Sequence, residues 1–313
     1  MDVALKVDVD THQGLGEGVP RLMRALTDLG VTATFLIAMG PDNSGRAIVR
    51  VLRNPGFLKK MRRTRAVAMY GLRTVLSGTV LPARPIALAF PNVMRDLARA
   101  GFEVGVHGYD HVRWQDRLDE IGEGGIRGEI DDAFEAFRAV MSSSARCFGA
   151  PGWRTSPAAL RVLDALSLDY RSDTRGTAPY RCAIEEEVFA TPEIPTTLPT
   201  MDEVIGPELA ESGAIVRFYL DRINMEALNV HTIHAETEGM SRLETFVALV
   251  RALKDRSARF VQLRDAAVAL DRAALPVCDV VRTTLPGRAG WLSAQGPELE
   301  LANTATVPAT AGL

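Results

Sequence analysis

The apolar positions of this chain fall into two spacings. Short apolar or β-branched runs at 4–9, 32–37, 103–106, 147–149, 168–171, 227–233 and 259–262 predict strands. Between them the apolar residues recur every three or four positions. Leu22, Leu26 and Leu29 share a face of a predicted helix over 18–29, and Ile126, Ile130, Phe134 and Phe137 share one over 120–140. Further helices are expected over 91–100, 157–166, 243–253 and 264–270. Strands alternating with helices specify an α/β fold, a mostly parallel sheet with helices outside. In such folds ligands sit at the carboxyl ends of the strands. Asp8, Asp10, His107, Asp173 and His234 all lie at or just past such ends.

Two regions break the rhythm. An insertion over about 45–85 separates the second strand from the next helix. From Asn43 to Arg95 there is no acidic residue, while eleven residues are Lys or Arg. Lys59, Lys60, Arg62, Arg63 and Arg65 stand among or beside Phe57, Leu58, Met61, Val67, Met69, Tyr70 and Leu72. A charge run is usually a solvated face, or a patch that attracts RNA. Without acids and mixed with large apolar side chains, this one suits an anionic bilayer surface or a phosphate group better. The second region, 294–313, is rich in Ala, Thr, Gly and Pro and reads as a disordered tail. One domain over 1–293 is expected.

Composition narrows the picture little. The 313 residues are 47% hydrophobic and 24% charged, enough for a large core with a soluble surface. The net charge of −3 points to no partner on average, and no nucleic acid is expected. Cys147, Cys182 and Cys278 form no CxxC pair and read as reduced thiols. No apolar run reaches 18 residues, and the first strand begins without a charged leader. A cytoplasmic protein, peripheral on the inner membrane, is the resulting expectation.

The chemistry sits in two short stretches. Val7-Asp8-Val9-Asp10 ends the first strand, and His107-Gly108-Tyr109-Asp110-His111 follows a later one. Two imidazoles and a carboxylate suit zinc, manganese, cobalt or ferrous iron. On a helical turn the i, i+4 spacing puts both rings on one face. Asp8 shares a strand face with Asp10 and is placed to act as a base. A lone Asp after a strand is commonly a cap, and a lone HxxxH is often a surface or core pair. Both motifs ending strands in a chain with five histidines is a rarer conjunction. His234 ends another strand and offers an acid for a leaving amine; a hydrogen-bonded core histidine is the plainer alternative. Asp173 is the candidate carboxylate to support it. His231, on the opposite strand face, reads as structural, and His12 as a remote substrate contact.

In this order, these residues resemble the polysaccharide deacetylase superfamily. Within it, the chain is most similar to the branch that deformylates undecaprenyl-phosphate-linked formamido sugars. That likeness is carried by Gly40-Pro41-Asp42-Asn43, by Ala150-x-Gly152-Trp153-Arg154, by Ser172-Asp173-x-Arg175-Gly176 and by the long run from Ile194 to Gly206, and it spans about 3–293. The resemblance implies a distorted (β/α)7 barrel holding one divalent metal ion (Zn, Mn or Co) on Asp10, His107 and His111. It implies Asp8 as general base and His234 as general acid supported by Asp173. Trp153 would wall the pocket, with Arg154 and Arg175 contacting substrate. The chain departs from the superfamily where a base-tethering arginine is usual and Gly149 stands instead; Arg154 is the candidate replacement.

The expected reaction is hydrolysis of the formamide of undecaprenyl-phosphate-linked 4-deoxy-4-formamido-L-arabinose. Its products would be formate and the amino sugar lipid used to modify lipid A, which weakens cationic peptides such as polymyxin. The partners would be that lipid-linked sugar and an anionic membrane surface. An N-deacetylase of peptidoglycan or another amino sugar keeps the chemistry and changes the substrate. A ferrous oxygenase and a non-catalytic membrane module fit less well, because each leaves Asp8 without a task.

Overall fold

The computed structural model describes residues 1–46, 77–79, 82–206, 209–286, 288 and 290–299. Lys59, Lys60, Arg62, Arg63 and Arg65 lie outside the described residues. The strands are β1 (Asp2–Val9), β2 (Thr34–Ile37), β3 (Pro41–Asp42), β4 (Arg84–Pro85), β5 (Glu103–Val106), β6 (Cys147–Phe148) and β7 (Tyr170–Arg171). They continue with β8 (Tyr180–Ile184), β9 (Glu187–Glu193), β10 (Leu228–His234), β11 (Arg259–Val261), β12 (Val277–Thr283) and β13 (Leu292–Glu298).

One mixed sheet runs in the order β10-β1-β2-β5-β6-β7-β9-β8-β12-β13, with β11 beside the start of β1, while β3 and β4 form a separate pair. From β10 to β9 the neighbours are parallel. β8 with β9 and β12 with β13 are antiparallel. The expected (β/α)7 barrel is therefore met as a curled sheet whose strand ladder does not close among the described residues. The gap is spanned another way. Just past β9, the backbone amides of Thr197 and Leu198 donate to Val230 O of β10 at 3.1 and 3.2 Å.

β1 shows how the sequence directs this curl. Val3 to Val9 are all buried, as in a strand covered on both faces. Val3, Leu5, Val7 and Val9 join the large core under the helices. Ala4, on the opposite face, joins a second cluster with Leu36, Cys147, Tyr170, Ile194 and Val230, which come from around the ring. Lys6 and Asp8 share that inner face by the period of two. Gly105 completes the inner layer, because a Cβ there would collide with Cys147 Sγ and stand 2.8 Å from Leu36 Cδ2.

The helices follow their apolar periods. Val19–Leu29 buries Val19, Leu22 and Leu26 and ends on Gly30 at φ 62°, the left-handed conformation glycine takes at a helix end. Gly122–Met141 buries Ile126, Ile130, Phe134 and Phe137. The disordered tail expected over 294–313 is corrected in its first part, since Leu292–Glu298 is a paired strand; residues 300–313 lie outside the described residues. The Ser-Ala-Gln-Gly-Pro composition of that strand hides this. The strand is held by its backbone and its neighbours: Arg175 N donates to Ser293 O at 3.0 Å and Gln295 N to Arg175 O at 2.7 Å.

Candidate active site

The parallel register of β1 with β10 sets Asp8 directly beside His234. β5 then delivers His107, whose amide donates to Ile37 O at 2.9 Å. His111 opens the helix His111–Arg117, which Asp110 caps by accepting from Arg113 N at 3.0 Å. The two histidines do not converge through a helical turn, as their spacing had suggested. His107 precedes the helix, and Gly108 at φ +73° turns the chain between them.

Asp10, His107 and His111 offer one ligand atom each, all within 4.8 Å of one another. His107 Nε2 lies 3.4 Å from Asp10 Oδ1, and His111 Nε2 lies 3.5 Å from Asp10 Oδ2. Ligands at zinc–nitrogen and zinc–oxygen bond lengths of about 2.0–2.1 Å around a tetrahedron stand roughly 3.3 Å apart. The residues therefore fit one divalent ion. Asp10 Oδ1 is buried without a hydrogen-bond partner, which points the same way. His107 Nδ1 sits 2.8 Å from Gly149 O, leaving Nε2 to face the site. Burial holds the His111 imidazole below its ordinary pKa, so it presents a neutral nitrogen.

Glu236 steadies the first motif. Its Oε1 accepts from Asp10 N at 3.0 Å, Thr11 N at 2.9 Å and Thr11 Oγ1 at 2.8 Å. Asp8 is buried, with Oδ1 unpartnered and Oδ2 at 3.9 Å from His107 Nε2. The cation beside it is Lys6, at 3.5 Å. Lys6 is 0% exposed, and its Nζ also donates to Ser172 O at 2.9 Å. Arg154 does not take this part. It donates to Trp291 O at 3.0 Å and to Gln115 O, and stacks 4.6 Å from the Trp291 ring. Lys6 was legible only as a strand residue, although a lysine two positions before Asp8 in an apolar run was the available signal.

His234 also departs from expectation in its partner. The carboxylate near its Nδ1 is that of Asp202, at 3.8 Å. Asp173 is fully buried elsewhere, 3.9 Å from Arg171 Nε and close enough to Glu193 that its amide donates to Glu193 Oε1 at 2.6 Å. Burial and that neighbouring acid push its pKa well up. Burial alone would lower the His234 pKa. Asp202, Asp10, Asp8 and Glu238 outweigh it and raise it to about 9. Asp202 stands in the short helix Met201–Val204, whose start is fixed by Thr200 N donating to Glu203 Oε2 at 3.0 Å. It lay unassigned inside the long run from Ile194 to Gly206.

Asp8, Asp10, His107, His111, Gln115, Trp153, Asp202, His234, Glu236 and Arg288 line one cavity of about 240 Å³ together with Thr11, Ser44, Val112 and Gly152. Trp153 walls it as expected. Its Nε1 donates to Thr196 Oγ1 at 2.9 Å, and its ring meets His234 edge-on at 6.3 Å. Gly152 at φ 64° and Trp153 at φ 53° are both left-handed, a sparsely populated state for a bulky residue. Arg175 sits 5.1 Å over Trp153 but outside the cavity lining, tied to both oxygens of Glu203 and to Leu198 O. His12 also lies outside the lining, 2.7 Å from Pro85 O and with its ring tilted against Phe90 at 4.6 Å. Burial drives the His231 pKa down to about 3, and it packs on Tyr219 as a structural residue.

The profile of the polysaccharide deacetylase family matches residues 2–171, which include all three candidate ligands and Asp8. The chain belongs to the polysaccharide deacetylase family. Among its relatives is a probable 4-deoxy-4-formamido-L-arabinose-phosphoundecaprenol deformylase of Shewanella sediminis, 33% identical over 295 residues, covering 94% of each chain. A protein of the same description from Wigglesworthia glossinidia brevipalpis is 30% identical, covering 89% of this chain and 96% of its own. Among solved structures, a Mycobacterium smegmatis protein assigned to the polysaccharide deacetylases superposes with a TM-score of 0.61 at 19% identity, over 90% of this chain and 95% of that one. That likeness concerns the fold. Family membership and the clustered ligands make this deacetylase relative a hydrolase of amide or ester bonds with a site for one divalent metal ion.

Proposed function

We propose that this polysaccharide deacetylase relative removes the formyl group from 4-deoxy-4-formamido-L-arabinose carried on undecaprenyl phosphate. The products are formate and the amino sugar lipid that serves in modifying lipid A, which lowers its negative charge and its affinity for cationic peptides. The observation that carries this reading is the 33% identity to a probable deformylase of that substrate along 94% of both chains, with the candidate ligands, Asp8 and His234 gathered in one cavity.

The chemistry that a divalent ion supplies in such a site is Lewis acidity toward a carbonyl and a lowered pKa for water, to roughly 7. Asp8 accepts the proton of the attacking water. Lys6, fixed by Ser172 O, holds Asp8 in place. His234, on the neighbouring strand, gives a proton to the departing nitrogen, and Asp202 keeps the imidazole charged for that step. Trp153 forms the part of the wall that His234 meets edge-on.

The basic insertion, with Lys59, Lys60, Arg62, Arg63 and Arg65, would bring the site to an anionic membrane surface on its cytoplasmic face. No helix among the described residues is long and apolar enough to cross a membrane. The test is product analysis. Metal-loaded protein in detergent is given the undecaprenyl-phosphate-linked sugar in its formyl and acetyl forms. Formate from the first, at a much higher kcat/KM than acetate from the second, is the expected result. Preference for the acetyl form would make it an N-deacetylase instead.

A further inference from the structure

Among the described residues, three cations lie near the indole of Trp153. Lys6 Nζ lies 5.3 Å from the ring centre, Arg175 5.1 Å and Arg288 4.4 Å. Two of them are committed. Lys6 is enclosed between Ser172 O and Asp8. Arg175 holds both oxygens of Glu203, at 2.9 and 3.1 Å, and Leu198 O at 3.0 Å.

Arg288 differs. Among the described residues its one ion pair is a long 3.5 Å contact to Glu203 Oε1, an oxygen already bonded by Arg175. Two guanidinium groups therefore share one carboxylate, and the other acid whose field Arg288 meets is Asp202, which also faces His234. Arg288 lines the same cavity as the candidate metal ligands, and its side chain is only 15% exposed. Each acid in that cavity also faces another group. Asp8 faces Lys6, Asp10 belongs to the ligand trio, Asp202 faces His234, and Glu236 Oε1 takes the Asp10 and Thr11 groups. A guanidinium carries five N–H donors in a fixed fork that matches a phosphate, and one contact leaves most of them open.

We infer that Arg288 is a specificity residue that binds a phosphate ester on the substrate sugar, so that the enzyme selects amides on phosphorylated sugars over amides on neutral glycans. This rests on the amide-hydrolase reading of the site. Trp153, 4.4 Å away, and the shared Glu203 hold the guanidinium at the cavity wall. A sugar with its amide at the ligand trio would then present its phosphate across the same small cavity. The phosphate could come from a polyprenyl carrier or from a nucleotide.

The test compares kcat/KM for one formamido sugar as its neutral methyl glycoside, its 1-phosphate, its undecaprenyl-phosphate form and its nucleotide-linked form. The expected result is a wild-type preference for the phosphate-bearing forms, with the preferred one identifying the carrier. In Arg288→Gln the ratio of 1-phosphate to methyl glycoside falls about 10- to 100-fold, the size of a charged hydrogen-bonded contact. Arg288→Lys retains part of it. A ratio is unaffected by the fraction of protein folded. An unchanged ratio in Arg288→Gln overturns the assignment. If the wild type turns over none of these sugars, the deformylase reading fails, and calorimetry with arabinose 1-phosphate decides the Arg288 assignment separately. Binding at least tenfold weaker in Arg288→Gln supports it, and equal binding overturns it.

Discussion

At the scale of single residues the site depends on which charge stands beside which. His234 is useful as an acid only while protonated. Its pKa of about 9 arises because Asp202 and three other carboxylates outweigh the effect of burial. A cation held by Asp10 cancels that residue's part and leaves Asp202 as the main support. Asp202→Asn should therefore lower the His234 pKa and move the alkaline limb of the kcat profile to lower pH, with the acidic limb in place. A pH–rate profile of the two proteins checks this; an unmoved alkaline limb would mean that Asp202 does not act on His234. The principal site residues were legible in the sequence because each ends an apolar run. Asp202 and Lys6 were not. Asp202 reaches His234 from a short helix 32 positions earlier, and Lys6 is concealed in a run that otherwise reads as core. Asp173 misled for the converse reason: it also ends a strand, but it is buried against Arg171 and Glu193.

At the scale of elements the strands of the inner ring determine whether these residues meet. The apolar periods located β1, β2, β5, β6, β7, β10, β11 and the major helices. They missed the antiparallel pairs β3 with β4, β8 with β9 and β12 with β13, where Gly, Pro and charged residues interrupt the runs. Those strands are stabilised by pairing and side-chain anchors, such as Ser293 Oγ accepting from Thr155 N at 3.1 Å, which no local pattern reports. The inner layer has no room to spare at Gly105. Gly105→Ala should cost about 1–3 kcal/mol by overpacking, read as a lowered denaturation midpoint. An unchanged midpoint would show that the interior at Cys147 and Leu36 yields without strain.

At the scale of the molecule, the curled sheet puts the carboxyl ends of β1, β5 and β10 around one cavity, and every candidate ligand comes from those ends or just beyond. Placing chemistry there follows from the topology of a parallel sheet, so the fold class and the site location were read together from one pattern. The proposed chemistry turns on Asp8 as a base beside an ion that Asp10, His107 and His111 would hold. The most direct measurement is turnover by metal-loaded Asp8→Asn, with the bound metal quantified in the same sample and the formamido sugar as substrate. One ion retained per chain with turnover reduced about 100- to 10,000-fold is the predicted result. Turnover close to wild type with the ion in place would contradict it.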